Sequence, residues 1–552
     1  MPSSAVVAPI AFPLLAAAVI ALFGVAGVRL GRAAAGIGAW SSALALVAVW
    51  LPVRSSLELI LGPLGYGSAL DLRIDAVTFA FGLMIVMPAA VLLTLQPRTW
   101  QESALTMLGL AAAMAAVEAG GVVLTAIAGS TAATIALVCL YTEDPRAPRP
   151  SWGLLLAGWL ALAWVGVILQ VGGGTAVYSA VPVSTVTGPV FVVLAAAALL
   201  ASCLFPWRVW PAQLWSRPSL RAAGITVATL YPLGFYILVR AYELGAGRYP
   251  HIAFNVVLAL VGIAVAVAAA ARAQAAATRR EFFAEVIPGF GGFALSAIAL
   301  GTPLSLVAGV VMLATASALV ACLALLPDRT GIPSLVTVAA AVGLPPGIAF
   351  GSRVIGIESA FEAGDFLGLI GLAAAAVWAL WVVAGARAIG LPGGRGHPAT
   401  ETFPRVAMAI AAGTILAGPA LAVLQLGLAD PAAGEVMQVA TGALAGGATS
   451  VVTVSSTLPA VFLFAPLLVI ALLVYWGTGL SAIHTQARPA IFALPVGEWL
   501  GQLRAHARSV TVPEQYRSLL GVRELELAAA GGRPWPWLLA LVALAIGSRA
   551  IW

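Results

Sequence analysis

Residues 5–28, AVVAPIAFPLLAAAVIALFGVAGV, run for 24 positions without a charged or hydrogen-bonding side chain. As an α-helix this stretch would be about 36 Å long, enough to cross a hydrocarbon core of about 30 Å. It is too long for the apolar part of a cleaved leader and is expected to be a first spanning helix. Comparable runs recur along the chain, for example residues 303–326, PLSLVAGVVMLATASALVACLALL. Across all 552 residues, 62% are hydrophobic and 9% charged, and the mean hydropathy is +1.05. Soluble domains carry roughly 25% charged residues, so this surface cannot be clothed in ions. Its solvent is the lipid bilayer.

Working outward, apolar runs predict about sixteen spanning helices, near 5–28, 34–52, 76–96, 102–118, 120–141, 152–170, 190–205, 222–241, 252–271, 283–300, 303–326, 332–350, 366–387, 404–428, 455–480 and 535–551. Charge tests this count, because basic residues collect in cytoplasmic loops. All 27 basic residues are arginines. Threaded through sixteen helices, 21 of them fall on one side, including Arg29, Arg98, Arg146, Arg280, Arg329 and the six between Arg488 and Arg533. Only Arg54, Arg73, Arg240, Arg248, Arg353 and Arg549 fall elsewhere. The asymmetry predicts an inner (cytoplasmic) membrane protein with both termini on the outer face. Two segments depart from the pattern. Residues 172–189 are uncharged and rich in Gly, Val, Ser and Thr, which reads as a short outer hairpin. Residues 484–534 are polar and partly amphipathic, which suggests a segment lying along the cytoplasmic membrane surface before a last helix.

The net charge of +6 does not indicate nucleic acid, since no basic patch is interleaved with aromatics. Cys139, Cys203 and Cys322 each lie inside an apolar run without CxxC spacing and read as packing residues. The four histidines, His251, His397, His484 and His506, are too scattered for a metal site. No Walker loop, dinucleotide fingerprint or haem-ligand pair is present, so no cofactor is expected on this chain.

Four motifs are more specific. Pro206-Trp207-Arg208-Val209-Trp210, continuing to Pro218, resembles the P-F-H-x-W-L-P-x-A-x-x-x-A-P signature of the antiporter-like proton-channel subunits of complex I, energy-converting hydrogenases and multisubunit cation/proton antiporters. Gly234–Arg240 resembles that family's G-x-Y-x-L-x-R, and Gly343–Arg353 its G-L-P-P-x-x-G-F-x-x-K. Leu72-Arg73-Ile74-Asp75-Ala76-Val77 resembles F-x-x-D-G-L at the start of the third helix. The order and spacing of the four agree. The resemblance implies an all-α polytopic fold with two inverted five-helix repeats, each with a broken helix, and a lateral C-terminal surface segment. Pro232 and Pro345–Pro346 fall where the breaks are expected. The implied division is 1–118 for the N-terminal helices, 119–271 and 272–400 for the repeats, and 401–480 for the C-terminal helices. A cytoplasmic-face segment over 481–534 and a final helix over 535–552 complete it.

The family's proton relay depends on buried lysines and a glutamate, because desolvation brings a lysine into a titratable range. By the resemblance the glutamate position falls at Gly129, and the lysine positions at Ala201, Pro232 and Val320. Only the terminal position keeps a charge, as Arg353, and a guanidinium does not release its proton. Remaining ionisable groups near the membrane are functional candidates. Glu118 is read as a helix-end residue of the headgroup zone or a substitute carboxylate. Glu285 is expected to pair with Arg280 or Arg221, Arg353 with Glu358 or Glu362, and Arg240 and Glu243 end the eighth helix. The expected role is a non-catalytic membrane-arm subunit of a complex I-like or hydrogenase-like assembly, architectural or with an altered proton path. Its partners would be other membrane-arm subunits. The alternatives are an ion or proton transporter subunit of a cation antiporter, and a subunit of an inorganic-carbon uptake complex.

Overall fold

The computed structural model describes residues 3–441 apart from 28–30, 66–67, 97, 144–151, 203–213, 216–219, 246–248, 327–330, 394–401 and 419–420. The motif residues Pro206, Trp210 and Pro218, the expected helices at 455–480 and 535–551, and the surface segment between them lie outside these residues. The chain is an all-α polytopic membrane protein, and ten described helices are long and apolar enough to span a bilayer.

The helices, in chain order, are α1 (Ala8–Val25), α2 (Gly31–Val53), α3 (Ala76–Leu95), α4 (Trp100–Glu118), α5 (Val122–Glu143), α6 (Trp152–Gly173), α7 (Gly188–Ser202), α8 (Arg221–Leu244), α9 (Ile252–Ala275), α10 (Arg279–Leu300), α11 (Pro303–Leu325), α12 (Ile332–Val342), α13 (Ile348–Glu362), α14 (Asp365–Gly390) and α15 (Thr402–Leu416). The last described helical stretch is built from α16 (Leu421–Leu424), a π-turn (Gln425–Ala429) and α17 (Asp430–Thr441). Their starts are written in the sequence. Asp75 accepts the Thr78 N–H ahead of α3, Thr99 and Glu102 form a capping box at α4, and Thr278 and Thr302 cap α10 and α11. Each side-chain oxygen satisfies an N–H that the helix leaves unbonded.

The centre of the bundle is α8 and α10, whose side chains are almost all buried, while α1 and α9 flank it with most of their surface outward. Small residues bring α9 and α10 into backbone contact. A Cβ on Gly262 would come within 2.5 Å of the Ser296 nitrogen, and one on Gly292 within 2.6 Å of the Ala266 nitrogen. Such close approach is the usual means of helix association where lipid removes the hydrophobic drive.

Every expected span within the described residues coincides with a helix, with two corrections. The span expected at 332–350 ends at Val342, where Gly343 takes the left-handed conformation (φ +76°), and restarts at Ile348 as the separate helix α13. The span expected at 404–428 is interrupted after Leu416 and then continues to Thr441. Residues 172–189 do not pair with themselves: Val177 bridges Gly121, so the segment closes over the α4–α5 connection. The described hairpin lies elsewhere, as β1 (Leu57–Gly65) and β2 (Ser68–Ile74), with Glu58 opposite Arg73 and Ile60 opposite Asp71. Its period-2 pattern puts Leu72 and Ile74 on one face and Asp71 and Arg73 on the other.

Candidate functional site

The hairpin delivers Arg73 to the start of α3, where Asp75 serves as helix cap. The α8 sequence places Tyr236, Arg240 and Glu243 on one face through i, i+4 and i+3 spacing. These groups meet in a buried cluster. The Arg240 guanidinium lies 2.8 Å from Asp75 Oδ2 and 2.5 Å from Glu243 Oε2, and donates to the Tyr236 hydroxyl at 3.0 Å and Thr78 Oγ1 at 3.1 Å. Arg73 approaches Asp75 at 3.0 Å, Glu243 at 3.4 Å and Glu435 of α17 at 2.8 Å. Thr78 and Tyr236 both donate to the Val117 carbonyl at the end of α4. The rings of Tyr178 and Tyr236 lie about the Arg240 guanidinium, with centroids at 5.3 and 5.0 Å.

Two guanidiniums and three carboxylates therefore tie together the hairpin, α3, α8 and α17. Burial alone would raise the Asp75 carboxyl, but Arg240 and Arg73 outweigh it and hold it below the usual range. Nearby Asp71 behaves oppositely. Burial, then the Glu58 carboxylate, pushes it up to about 7 against the pull of Arg73. The cluster is a set of fixed charges, with arginine in both cationic places.

Arg353 is buried as well, in a different surrounding. It does not pair with Glu358 or Glu362, as the sequence led us to expect, but turns inward to the break between α12 and α13. It donates to the carbonyls of Val342 and, at 3.1 Å, Ala341. The rings of Phe290, Phe293 and Trp378 surround its guanidinium at 4.9, 5.1 and 5.8 Å, and Trp378 also donates to Val342 O. The end of a helix leaves carbonyls unbonded and carries partial negative charge, which is why a cation settles there. Among the described residues no carboxylate forms an ion pair with it.

Glu118 ends α4 fully buried, and neither carboxyl oxygen has a hydrogen-bond partner among the described residues. The reason is the β2 and 172–189 segments, which fold over the end of α4 through Leu72–Ala119 and Gly121–Val177 bridges. Glu285 pairs with Arg272 at 2.9 Å, not with Arg280 or Arg221. Arg221 is taken by Glu143, and Arg280 reaches Trp215 O. Gly129 faces the Trp159 ring, and a Cβ there would come within 2.3 Å of it. Ala201, Pro232 and Val320 are buried among apolar neighbours in α7, α8 and α11. The structure thus gathers Arg240 into one site with Arg73, Asp75 and Glu243, and leaves Glu118, Glu285 and Arg353 apart from it. Glu435 and Tyr178 were not foreseen. Glu435 is an acid within an amphipathic stretch, and only the fold shows that it reaches Arg73.

No family model and no curated protein matches the sequence. Solved structures do match in fold. A chain of the Mrp complex from Dietzia sp. DQ12-45-1b superposes with a TM-score of 0.70 at 19% identity, covering 95% of this chain and 62% of that one. A chain of the membrane-bound sulfane sulfur reductase, an archaeal respiratory membrane complex, gives 0.63 at 18%, covering 75% and 76%. A chain of respiratory complex I from Thermus thermophilus gives 0.64 at 19%, covering 79% and 99%. This chain spans less than two thirds of the length of the Mrp chain it matches. It has the antiporter-like fold of these membrane subunits.

Proposed function

We propose that the chain is a membrane-arm subunit of a complex I-like, hydrogenase-like or Mrp-like assembly, with an architectural role in place of a lysine relay. The observation that carries this is Arg353. A permanently charged group, held by two carbonyls and three rings, stands where the resembled family has a titratable lysine. The packing at Gly129 supports the same reading, since Trp159 fills the space a carboxylate would need. So do the apolar surroundings of Ala201, Pro232 and Val320. Two of the buried charged groups are closed by partners: Glu285 by Arg272, and Arg240 by Asp75 and Glu243.

The subunit would sit in the cytoplasmic membrane, with the Arg73–Arg240 cluster toward the outer face, as the arginine asymmetry supports. Partners would be other membrane subunits packed on its apolar flanks. A second reading, a subunit that passes protons or another small ion by an altered path, draws on Glu118, a buried carboxyl with no hydrogen-bond partner among the described residues.

Purification from native membranes in mild detergent, with mass spectrometry of what stays bound, tests the assignment. Recovery of other membrane subunits of such an assembly is the expected result. A chain that purifies alone, from membranes where it is abundant, removes the membrane-arm reading and favours a solitary transporter.

A further inference from the structure

Within the last described helical stretch lies an irregular segment, Gln425-Leu426-Gly427-Leu428-Ala429-Asp430-Pro431. Pro431 has no N–H, so the turn before it loses its regular donor. The helix widens there into a π-turn, and the Asp430 N–H bonds to the Gln425 carbonyl, five residues back. Such turns recur at functional sites. Residues i and i+5 lie over one another in this geometry, so Gln425 and Asp430 share a face. That face points inward: Gln425 is 0% exposed and Asp430 7%. Both Asp430 carboxyl oxygens and both polar atoms of the Gln425 amide lack a hydrogen-bond partner among the described residues.

The elements packed against this turn and α17 are α3, α8 and α11, and they offer no spare cation. Helix α11 has no charged residue, and α3 has none beyond Asp75 at its cap. On α8, Arg240 is held by Asp75 and Glu243; Arg73 of the hairpin is held by Asp75, Glu243 and Glu435. Glu435 lies five residues along the same helix, about 7.5 Å by its rise, in a cluster that already has three carboxylates to two guanidiniums. An ionised Asp430 would add uncompensated charge to an interior that cannot solvate it, and a single proton removes that charge.

We propose that Asp430 and Gln425 form a proton-binding site in the protein interior, in which Asp430 holds one proton and donates it to the Gln425 amide oxygen. The site lies on a helix that carries none of the positions compared with the resembled relay, and it requires no lysine. It concerns the folded chain alone and does not depend on which assembly the chain joins.

Infrared spectroscopy of the detergent-purified full-length chain, titrated with acid and base in H2O and D2O, reads the site directly. The expected result is a carboxylic C=O band that shifts in D2O and is lost in Asp430→Asn. It should move in Asp430→Glu, and also in Gln425→Leu, which removes the acceptor. Glu118→Gln and Asp71→Asn identify any bands owed to the other buried carboxyls without a hydrogen-bond partner among the described residues. Retention of every carboxylic band in Asp430→Asn overturns the proposal. Bleaching of the band by sodium chloride at constant pH also overturns it, because the ligand is then sodium. If Asp430→Asn does not fold, the other two Asp430 and Gln425 variants decide: a band unmoved in both rules the site out.

Discussion

Among the buried arginines of this bundle, Arg240 and Arg353 are accommodated by opposite means. Arg240 is enclosed by carboxylates, with Asp75 and Glu243 both within 2.8 Å and Tyr236 and Thr78 completing its donors. Arg353 has no carboxylate among the described residues, and relies on the open end of α12 and three aromatic rings. In the first case charge neutralises charge and links distant segments. In the second, partial charges and ring quadrupoles hold a cation in a place that a helix break prepared. The difference teaches that the molecule has two uses for a buried cation. One staples distant segments, and the other caps the end of a helix.

The largest effect expected from breaking this contrast is at Arg240. Arg240→Met leaves Asp75 and Glu243 buried with one guanidinium between them and Glu435. Loss of one partner of a buried pair should cost about 3–5 kcal/mol, read as a lower unfolding midpoint in detergent. A loss under about 1 kcal/mol would show that the cluster is solvated and not a staple. Next is Gly129→Ala, whose new methyl meets the rigid Trp159 ring and should cost about 1–3 kcal/mol by overpacking. A neutral effect there would mean that the α5–α6 contact can open and that a carboxylate could be housed.

Arg353→Met keeps volume while removing a cation that has no counter-ion among the described residues, so the loss of its charge-assisted hydrogen bonds, about 1.5–3 kcal/mol, is offset in part by relief of the buried charge. A cost as large as that at Arg240 would reveal a carboxylate partner elsewhere in the chain and erase the contrast. Glu118→Gln should change stability by less than about 0.5 kcal/mol, since an amide replaces an unpaired carboxyl of the same shape. A large loss would instead mark Glu118 as ionised and paired.

A further way to test the account uses pH. Asp71 is ordinarily protonated only below about 3.8, and in the fold it is pushed up to about 7. Between those values the folded chain holds a proton that the unfolded chain has released. The contribution of Asp71 to stability should therefore be greatest below pH about 4, fall as pH rises to about 7, and level off above. Asp71→Asn should flatten that slope in a series of unfolding midpoints; an unchanged slope would assign it to another group.

Much of the fold was legible because lipid imposes a simple rule on sequence. Apolar runs must be helices long enough to cross, so spans such as 252–271 and 303–326 could be read with errors of only a few residues. The hairpin at 57–74 was missed because its alternation is short and sits beside far stronger helical signals. The break after Val342 was foreshadowed by Gly343, Pro345 and Pro346, yet the separate helix α13 was not, since apolar character continues across the interruption. Half of the charge cluster was visible in Asp75 and Arg240, which belong to recognisable motifs. Glu435 was not, because an acid 360 residues away from Arg73 carries no mark of its partner. The expected pairs of Glu285 and Arg353 were wrong for one reason. Proximity in sequence favoured Arg280 and Glu358, whereas the fold offered Arg272 across the α9–α10 contact and the carbonyls of α12.

The central claim, that fixed charge has replaced a proton relay, is tested most directly by proton flux. The purified chain would be reconstituted in liposomes with an internal pH dye and given a potassium-diffusion potential. The expected result is dissipation no faster than in empty liposomes, for the wild type and for Arg353→Met alike. Proton entry well above the empty-liposome rate in the wild type, abolished by Glu118→Gln, would contradict the claim and establish a conducting path.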